Sequence, residues 1–284
     1  MINVLVTGAN GQLGHCIKDL EGQYPDLKLI YTDYHDLDIT NFEATKAFFK
    51  KYIPIQYCIN CAAYTAVDKA EEDKEKAYSI NALGPKHLAS ACKENNTTLI
   101  HISTDFVFDG NKKEPYLETD TPNPLSVYGA SKLQGEVEIQ NILKEHFIIR
   151  TSWLYSEHGH NFMKTMLKLG ETRKELRVVN DQIGTPTYAG DLAKVVLNVI
   201  ATKKNEYGLY HYSNEDEVSW YGFAKAIFEL SGKNVKVNPV TTKEYPTPAK
   251  RPMYSVLDIK KIKQQIELFN EGWKIRLKSV LNNL

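Results

Sequence analysis

Tyr128-Gly129-Ala130-Ser131-Lys132 sets a phenol and an ammonium at i and i+4, one helical turn apart on the same face. Tyrosine titrates near ~10 and is a reluctant acid and a poor base at neutrality; a cation within a few ångströms stabilises the phenolate and lowers that value. Such a pair is usable acid–base machinery. Ser103-Thr104-Asp105 closes an apolar run that reads as a strand, and ligands of open α/β sheets bind beyond the carboxyl ends of strands. From there the Thr104 hydroxyl can donate to a substrate carbonyl oxygen while Tyr128 passes a proton to it and a hydride donor attacks the carbon. Taken singly, the three have plain structural readings: a strand-end hydroxyl, a half-buried aromatic and a solvated charge.

A second constellation supplies the hydride donor. The turn after the first strand reads Gly8-Ala9-Asn10-Gly11-Gln12-Leu13-Gly14, a Gly-x-x-Gly-x-x-Gly pattern opening a helix. Glycines permit the tight turn and close approach to a pyrophosphate, and the N–H groups and dipole of the helix N-terminus favour its charge. Asp33, 19 residues after Gly14, stands at the end of the second strand, where a carboxylate accepts from adenosine ribose hydroxyls. That carboxylate repels a 2′-phosphate and favours NADH, but NADPH stays open. Ala62, Ala63 and Tyr64 follow the third strand, where small residues let the backbone lie along a cofactor; Asp38 and Ile39 complete the candidate contacts. Lys132 is also placed to hold the nicotinamide ribose.

The elements that must position these groups alternate. Short apolar strands at Asn3–Thr7, Lys28–Thr32, Gln56–Cys61, Thr98–Ser103 and Phe147–Thr151 are separated by stretches of apolar period near 3.6, such as Leu13, Ile17 and Leu20, or Ala82, Leu83, Leu88 and Ala91. This predicts an α/β fold, a Rossmann-like doubly wound parallel sheet. After Arg150 the pattern loosens, with punctuation at Gly184-Thr185-Pro186-Thr187 and Tyr245-Pro246-Thr247-Pro248. The expected division is a dinucleotide-binding domain over 1–152, rejoined at about 188–213 through a helix Asp191–Ala201 and a strand Gly208–Ser213. A smaller C-terminal substrate-binding lobe takes 153–187 and 214–284, including a helix Trp220–Ser231. The charge runs Lys69–Lys76 and Lys260–Lys263 read as solvated helix faces.

Composition excludes several classes. Thirty-five acidic residues balance 35 basic ones, leaving no field to draw the chain onto nucleic acid or an anionic membrane. The mean hydropathy is negative, and no apolar run approaches a bilayer span. The immediate strand pattern at Ile2 lacks the features of a secretory signal, so a cytoplasmic location is expected. Cys58-x-x-Cys61 lies within a strand, where residues three apart face opposite ways; buried thiols are expected rather than a metal or redox pair. The eight histidines show no metal-ligand spacing, and no metal site is expected.

Thr7-Gly8 through Gly14, Ala63-Tyr64-Thr65-Ala66-Val67-Asp68-Lys69-Ala70-Glu71, Ser103-Thr104-Asp105-Phe106-Val107-Phe108, Tyr128–Lys132 and Arg150-Thr151-Ser152-Trp153 resemble the dTDP-4-dehydrorhamnose reductase family, extended short-chain dehydrogenases. Asn180-Asp181-Gln182, Gly184–Thr187 and Tyr245–Pro252 extend the resemblance over nearly the whole chain. It implies NAD(P)H-dependent reduction of the C4 ketone of dTDP-4-dehydro-L-rhamnose to dTDP-L-rhamnose, a deoxysugar precursor of cell-surface polysaccharide. It implies Thr104, Tyr128 and Lys132 as the catalytic set, Thr104, Asp105 and Trp153 as substrate contacts, and Arg251 at the diphosphate. Some similar proteins dimerise through a magnesium ion held by glutamates, one just after the cofactor glycines. His15 occupies that position here, so a monomer or weak homodimer without a magnesium bridge is expected. Two competing readings share the fold. A nucleotide-sugar epimerase or dehydratase would keep its nicotinamide permanently bound, and a regulatory subunit such as that of methionine adenosyltransferase would leave the Thr-Tyr-Lys set unexplained.

Overall fold

The computed structural model describes residues 1–52, 54–265 and 270–284. Its centre is a six-stranded, wholly parallel sheet. The strands are β1 (Ile2–Thr7), β2 (Leu27–Thr32), β3 (Tyr57–Asn60), β4 (Thr98–Thr104), β5 (His146–Thr151) and, arriving late, β10 (Gly208–His211). Their order across the sheet is β10-β5-β4-β3-β1-β2. The strands are short apolar runs because both faces are covered. On one face α1 (Gln12–Leu20) and α8 (Ala189–Ala201) pack around Val6, Ile17, Ile100, Val196 and Tyr210. On the other, α2 (Phe42–Lys51), α5 (Gly84–Glu94) and α6 (Val127–Ile142) pack around Leu5, Phe49, Leu88, Leu99 and Ile139.

The chain runs from β1 outward to β2, then crosses back to place β3 on the other side of β1. This reversal is the topological switch point, beyond whose carboxyl edge such sheets hold ligands. Between β3 and α5 lie two short helices, α3 (Val67–Ala70) and α4 (Lys74–Tyr78), and a π-helical turn, Ser79–Leu83. The sequence pattern treats Ala82, Leu83, Leu88 and Ala91 as one apolar face. The wider π turn instead rotates Leu83 out to 46% exposure before α5 begins. A second departure is smaller: α8 starts at Ala189 rather than Asp191 and β10 ends at His211 rather than Ser213.

The remaining segments form a second core of their own around Tyr155, Met163, Phe223, Ile227, Trp273 and Leu277. Its helices are α7 (Phe162–Thr172), α9 (Trp220–Leu230) and α11 (Trp273–Asn282). Three two-stranded ladders join it: β6 (Leu154–Tyr155) with β9 (Thr187–Tyr188), β7 (Glu175–Val179) with β12 (Lys236–Val240), and β8 (Ile183–Gly184) with β11 (Val218–Ser219). Helix α10 (Lys260–Gln265) lies beside β10. Among the described residues no helix is long and apolar enough to cross a membrane.

Candidate active site

A cleft of ≈ 670 Å³ opens at the carboxyl edge of the sheet, between the two cores. One end is lined by Asn10, Gly11, Gln12 and Leu13; the middle by Ala63, Thr104, Asp105, Tyr128 and Lys132; the far end by Trp153, Trp220 and Arg251. Asn10 and Thr104, 94 positions apart in sequence, thus share one wall because β1 and β4 end at the same edge of the sheet.

At the first end, Gly8 has φ +65°, and a Cβ there would stand 2.6 Å from the backbone nitrogen of Ala62. Only glycine lets the turn lie this close to the chain leaving β3. Gly11 is the residue before α1, and no side chain among the described residues caps that helix start. Gly14 is buried one turn further on. The open first-turn N–H groups beside a glycine cradle fit a pyrophosphate. Asp33 faces this turn: its Oδ2 accepts from Asn10 N at 2.9 Å and its Oδ1 from Tyr34 N at 2.7 Å. These bonds hold the carboxylate beside the glycine turn and leave lone pairs for further donors.

Not every expected cofactor contact lies on the cleft wall. Asp38 turns its Oδ1 onto the N and Oγ1 of its neighbour Thr40, at 2.9 and 2.7 Å. Ile39 is 5% exposed and packs under Gly84, its carbonyl meeting Nδ1 of His87. Ala62 donates its N–H to Asn60 Oδ1. The backbone of Tyr64 is gripped on both sides by Asn81, and its hydroxyl donates to Asp73. Asn81 comes from the π turn and donates also to Ser131 on α6, so that turn ties the loop after β3 to the catalytic helix.

In the middle of the cleft, α6 starts at Ser126, whose Oγ accepts from Gly129 N at 3.2 Å, while Glu71 caps the Val127 N–H at 2.8 Å. A Cβ on Gly129 would stand 2.1 Å from the Phe106 carbonyl oxygen. This close approach brings Tyr128 against the end of β4, its ring edge-on to Phe106 at 5.8 Å. Thr104 donates to Asp105 Oδ1 at 3.1 Å and caps the Phe106 N–H. Asp105 is buried, and its Oδ2 finds no partner among the described residues; burial pushes its carboxyl up to about 7.

The expected lowering of Tyr128 by Lys132 is not what the site shows. Burial pushes the phenol up to about 12, with the nearby Thr104 hydroxyl opposing and Asp105 adding to the rise. The reason is geometric: Lys132 spends its nitrogen on β4, 2.7 Å from the Ile102 carbonyl oxygen and 3.2 Å from His101 Nε2. It is 2% exposed, and burial brings its ammonium down to about 8, against the opposing pull of Glu136 and Cys61. Glu136 is itself locked, accepting from Arg150 Nε and Nη2 and from Ser103 Oγ, so β4, β5 and α6 meet in a buried ion pair beneath the cleft.

At the far end Trp153 holds φ +45° and stacks on Trp220, ring centroids 3.5 Å apart. Arg251 grips Asp68 with two bonds of 2.9 and 2.7 Å and also donates to Thr247 Oγ1. The family described as RmlD substrate binding domain matches residues 2–284. The chain belongs to that family. It is 44% identical to the dTDP-4-dehydrorhamnose reductase of Aggregatibacter actinomycetemcomitans over 99% of this chain and 98% of that one. Among solved structures, it resembles a dTDP-4-dehydrorhamnose reductase from Clostridium acetobutylicum with a TM-score of 0.94 at 48% identity, covering 99% of both chains. A dTDP-4-dehydrorhamnose reductase from Bacillus anthracis in complex with NADP gives a TM-score of 0.94 at 40% identity over 100% of both chains.

Within this RmlD fold, several residues at the site escape a reading of local pattern. Asn60, Asn81, His101, Glu136 and Trp220 have no motif spacing that marks them, though His101 carries a signal: an ionisable ring inside an apolar strand, Leu99–Ile102, is rarely buried without a partner. The four cysteines are free, three of them buried.

Proposed function

We propose that this chain reduces the C4 ketone of dTDP-4-dehydro-L-rhamnose to dTDP-L-rhamnose with NADPH or NADH. Family membership and the names of full-length relatives support the substrate and reaction class. The observation that carries the reading is a shared wall: Thr104, Tyr128 and Lys132 line the same cleft as the uncapped start of α1. Asn10, Gly11, Gln12 and Leu13 would hold the pyrophosphate and Asp33 the adenosine ribose. The bound dinucleotide supplies a hydride to the carbonyl carbon. Tyr128 gives its phenolic proton to the carbonyl oxygen, and Thr104 donates a hydrogen bond to the same oxygen. Burial keeps the Tyr128 phenol protonated at neutrality, the state a proton donor requires. Lys132 stabilises the phenolate that remains.

We assign the dinucleotide to the lobe of 1–152 with 188–213, and the sugar end to 153–187 with 214–284. There Trp153 supplies an aromatic face, Asp105 a polar contact and Arg251 a guanidinium for the diphosphate. Four free cysteines support a reducing compartment, the cytoplasm. His15 stacks on His158 at 5.1 Å, and a hard cation prefers carboxylate oxygens to imidazole; we assign a monomer or weak homodimer without a magnesium bridge.

The test follows NAD(P)H absorbance with dTDP-4-dehydro-L-rhamnose made in situ. Stoichiometric consumption is expected; a purified protein carrying tightly held NAD and consuming none would overturn the reading in favour of an epimerase or dehydratase.

A further inference from the structure

At the first end of the cleft the two cores touch through one glutamine. Gln12 opens α1, while Ser156, Gly159 and Asn161 belong to the loop between β6 and α7. Gln12, Gly159 and Asn161 all line the cleft. Gly159 holds φ +62°, and a Cβ there would stand 3.0 Å from Gln12 Cγ, so the loop backbone lies directly against the glutamine stem. Gln12 Oε1 is 3.0 Å from Asn161 Nδ2 and 3.2 Å from Ser156 Oγ. Asn161 is buried and Ser156 fully so.

Backbone groups decide which way each amide faces. The Lys164 N–H can only donate, and it meets Asn161 Oδ1 at 3.0 Å as the cap of α7. Asn161 Nδ2 therefore takes the other side, where the carbonyl oxygens of Ser156 and His158, at 2.7 and 3.3 Å, can only accept. An NH₂ facing Gln12 requires an acceptor there, so Gln12 presents its oxygen to the loop. Its own NH₂ takes the opposite branch of the amide, away from Asn161.

We propose that Asn161 is a positioning residue for Gln12: by holding the amide oxygen it offers the Gln12 NH₂ to the dinucleotide pyrophosphate, so the lobe assigned to the sugar also sets cofactor affinity. This rests on the dinucleotide reading and adds to it a side-chain donor and the residue that orients that donor. An ionised pyrophosphate has only acceptors, so the reversed amide would lose a charge-assisted bond and set its oxygen lone pairs against the phosphate. Ser156 gives a second hold. Its Oγ accepts from the His158 N–H at 3.1 Å, which leaves its hydrogen for Gln12 Oε1 or the His158 carbonyl oxygen. A long, rotamer-rich side chain fixed before the ligand arrives loses less entropy on binding.

Calorimetric titration with ADP-ribose, which carries the pyrophosphate but no nicotinamide, tests this in a double-mutant cycle. Gln12→Met keeps the stem and removes the amide; Asn161→Ser keeps a hydroxyl to cap α7 and removes the NH₂. Each single variant is expected to raise the Kd about tenfold, and the double variant to bind no more weakly than Gln12→Met alone. A merely structural role for Asn161 gives the same loss with or without the Gln12 amide, and that result overturns the proposal. A second measurement needs no altered Asn161. In ¹H–¹⁵N spectra of the wild type the Gln12 NH₂ pair, assigned by its loss in Gln12→Met, is expected to shift as ADP-ribose saturates the protein. An unmoved pair at saturation overturns the proposal while leaving the dinucleotide reading intact. A wild type that binds no ADP-ribose overturns that reading, and the proposal with it.

Discussion

Arg251 and Asp68, 183 residues apart in sequence, form a two-pronged ion pair at the mouth of the cleft, with N–O distances of 2.9 and 2.7 Å. The guanidinium beside it holds the Asp68 carboxyl below its usual range, with the Ala249 N–H helping and partial burial opposing. The pair fastens the segment around Thr247–Arg251 over the loop that starts α3. A planar fork makes this contact, whereas an ammonium cannot. Arg251→Lys is therefore expected to raise KM for the nucleotide sugar about tenfold, equivalent to about 1.4 kcal/mol of lost binding, with kcat changed by less than about twofold. Steady-state kinetics check this; a fall confined to kcat would place Arg251 elsewhere in the reaction.

Tyr128→Phe removes the phenolic proton and leaves the ring's edge-on packing against Phe106 in place. Activity is expected to fall by about 10²–10⁴-fold while the circular dichroism spectrum and melting temperature stay close to wild type. Equal rates would take Tyr128 out of the chemistry.

Glu136 and Arg150 are each about 2% exposed and share hydrogen bonds of 2.6 and 2.9 Å. Neutralising one partner strands the other charge in the interior, so Glu136→Gln should lower unfolding free energy by about 3–5 kcal/mol in urea titrations. A loss below about 1 kcal/mol would show that solvent reaches the pair.

Asp105 gives stability a pH dependence opposite to that of most carboxylates. Burial raises its folded-state value to about 7 from an ordinary 3.8, so the folded chain keeps a proton there that the unfolded chain has already lost. Between those values the native state binds more protons, and its contribution to stability declines as pH rises. Asp105→Asn cannot ionise. Unfolding curves at pH 5 and pH 7 should therefore differ less in this variant than in the wild type; an unchanged difference would remove Asp105 as the source.

Gly184 supports Trp153 from behind. A Cβ at residue 184 would stand 2.6–2.8 Å from the indole ring, and Trp153 is pinned on its other face by Trp220. Gly184→Ala should displace the indole, shift tryptophan emission and weaken nucleotide-sugar binding by roughly the factor of ten expected from about 1.4 kcal/mol of strain or lost contact. Unchanged emission would mean that the ring has room to move without consequence.

Local pattern was enough for the alternation of strands and helices, the glycine turn before α1 and the one-turn spacing of Tyr128 and Lys132, because each depends on neighbours within a few residues and on the periods of helix and strand. It was also enough to place Thr104 at a strand end and Asp33 beside the turn. The tertiary structure decided what those groups face. Strand register alone sets Asn60 against His101, and helix approach at Gly129 sets Tyr128 against β4. The pairing rule is the same for every register, so positions 41 residues apart leave no local mark of being neighbours. Asp38 and Ile39 follow a strand in sequence, and only the fold sets the Asp38 carboxylate on Thr40 and the Ile39 side chain under Gly84. Protonation belongs wholly to the folded state, since desolvation acts only once the surrounding chain has excluded water, and it reversed the simple expectation for Tyr128.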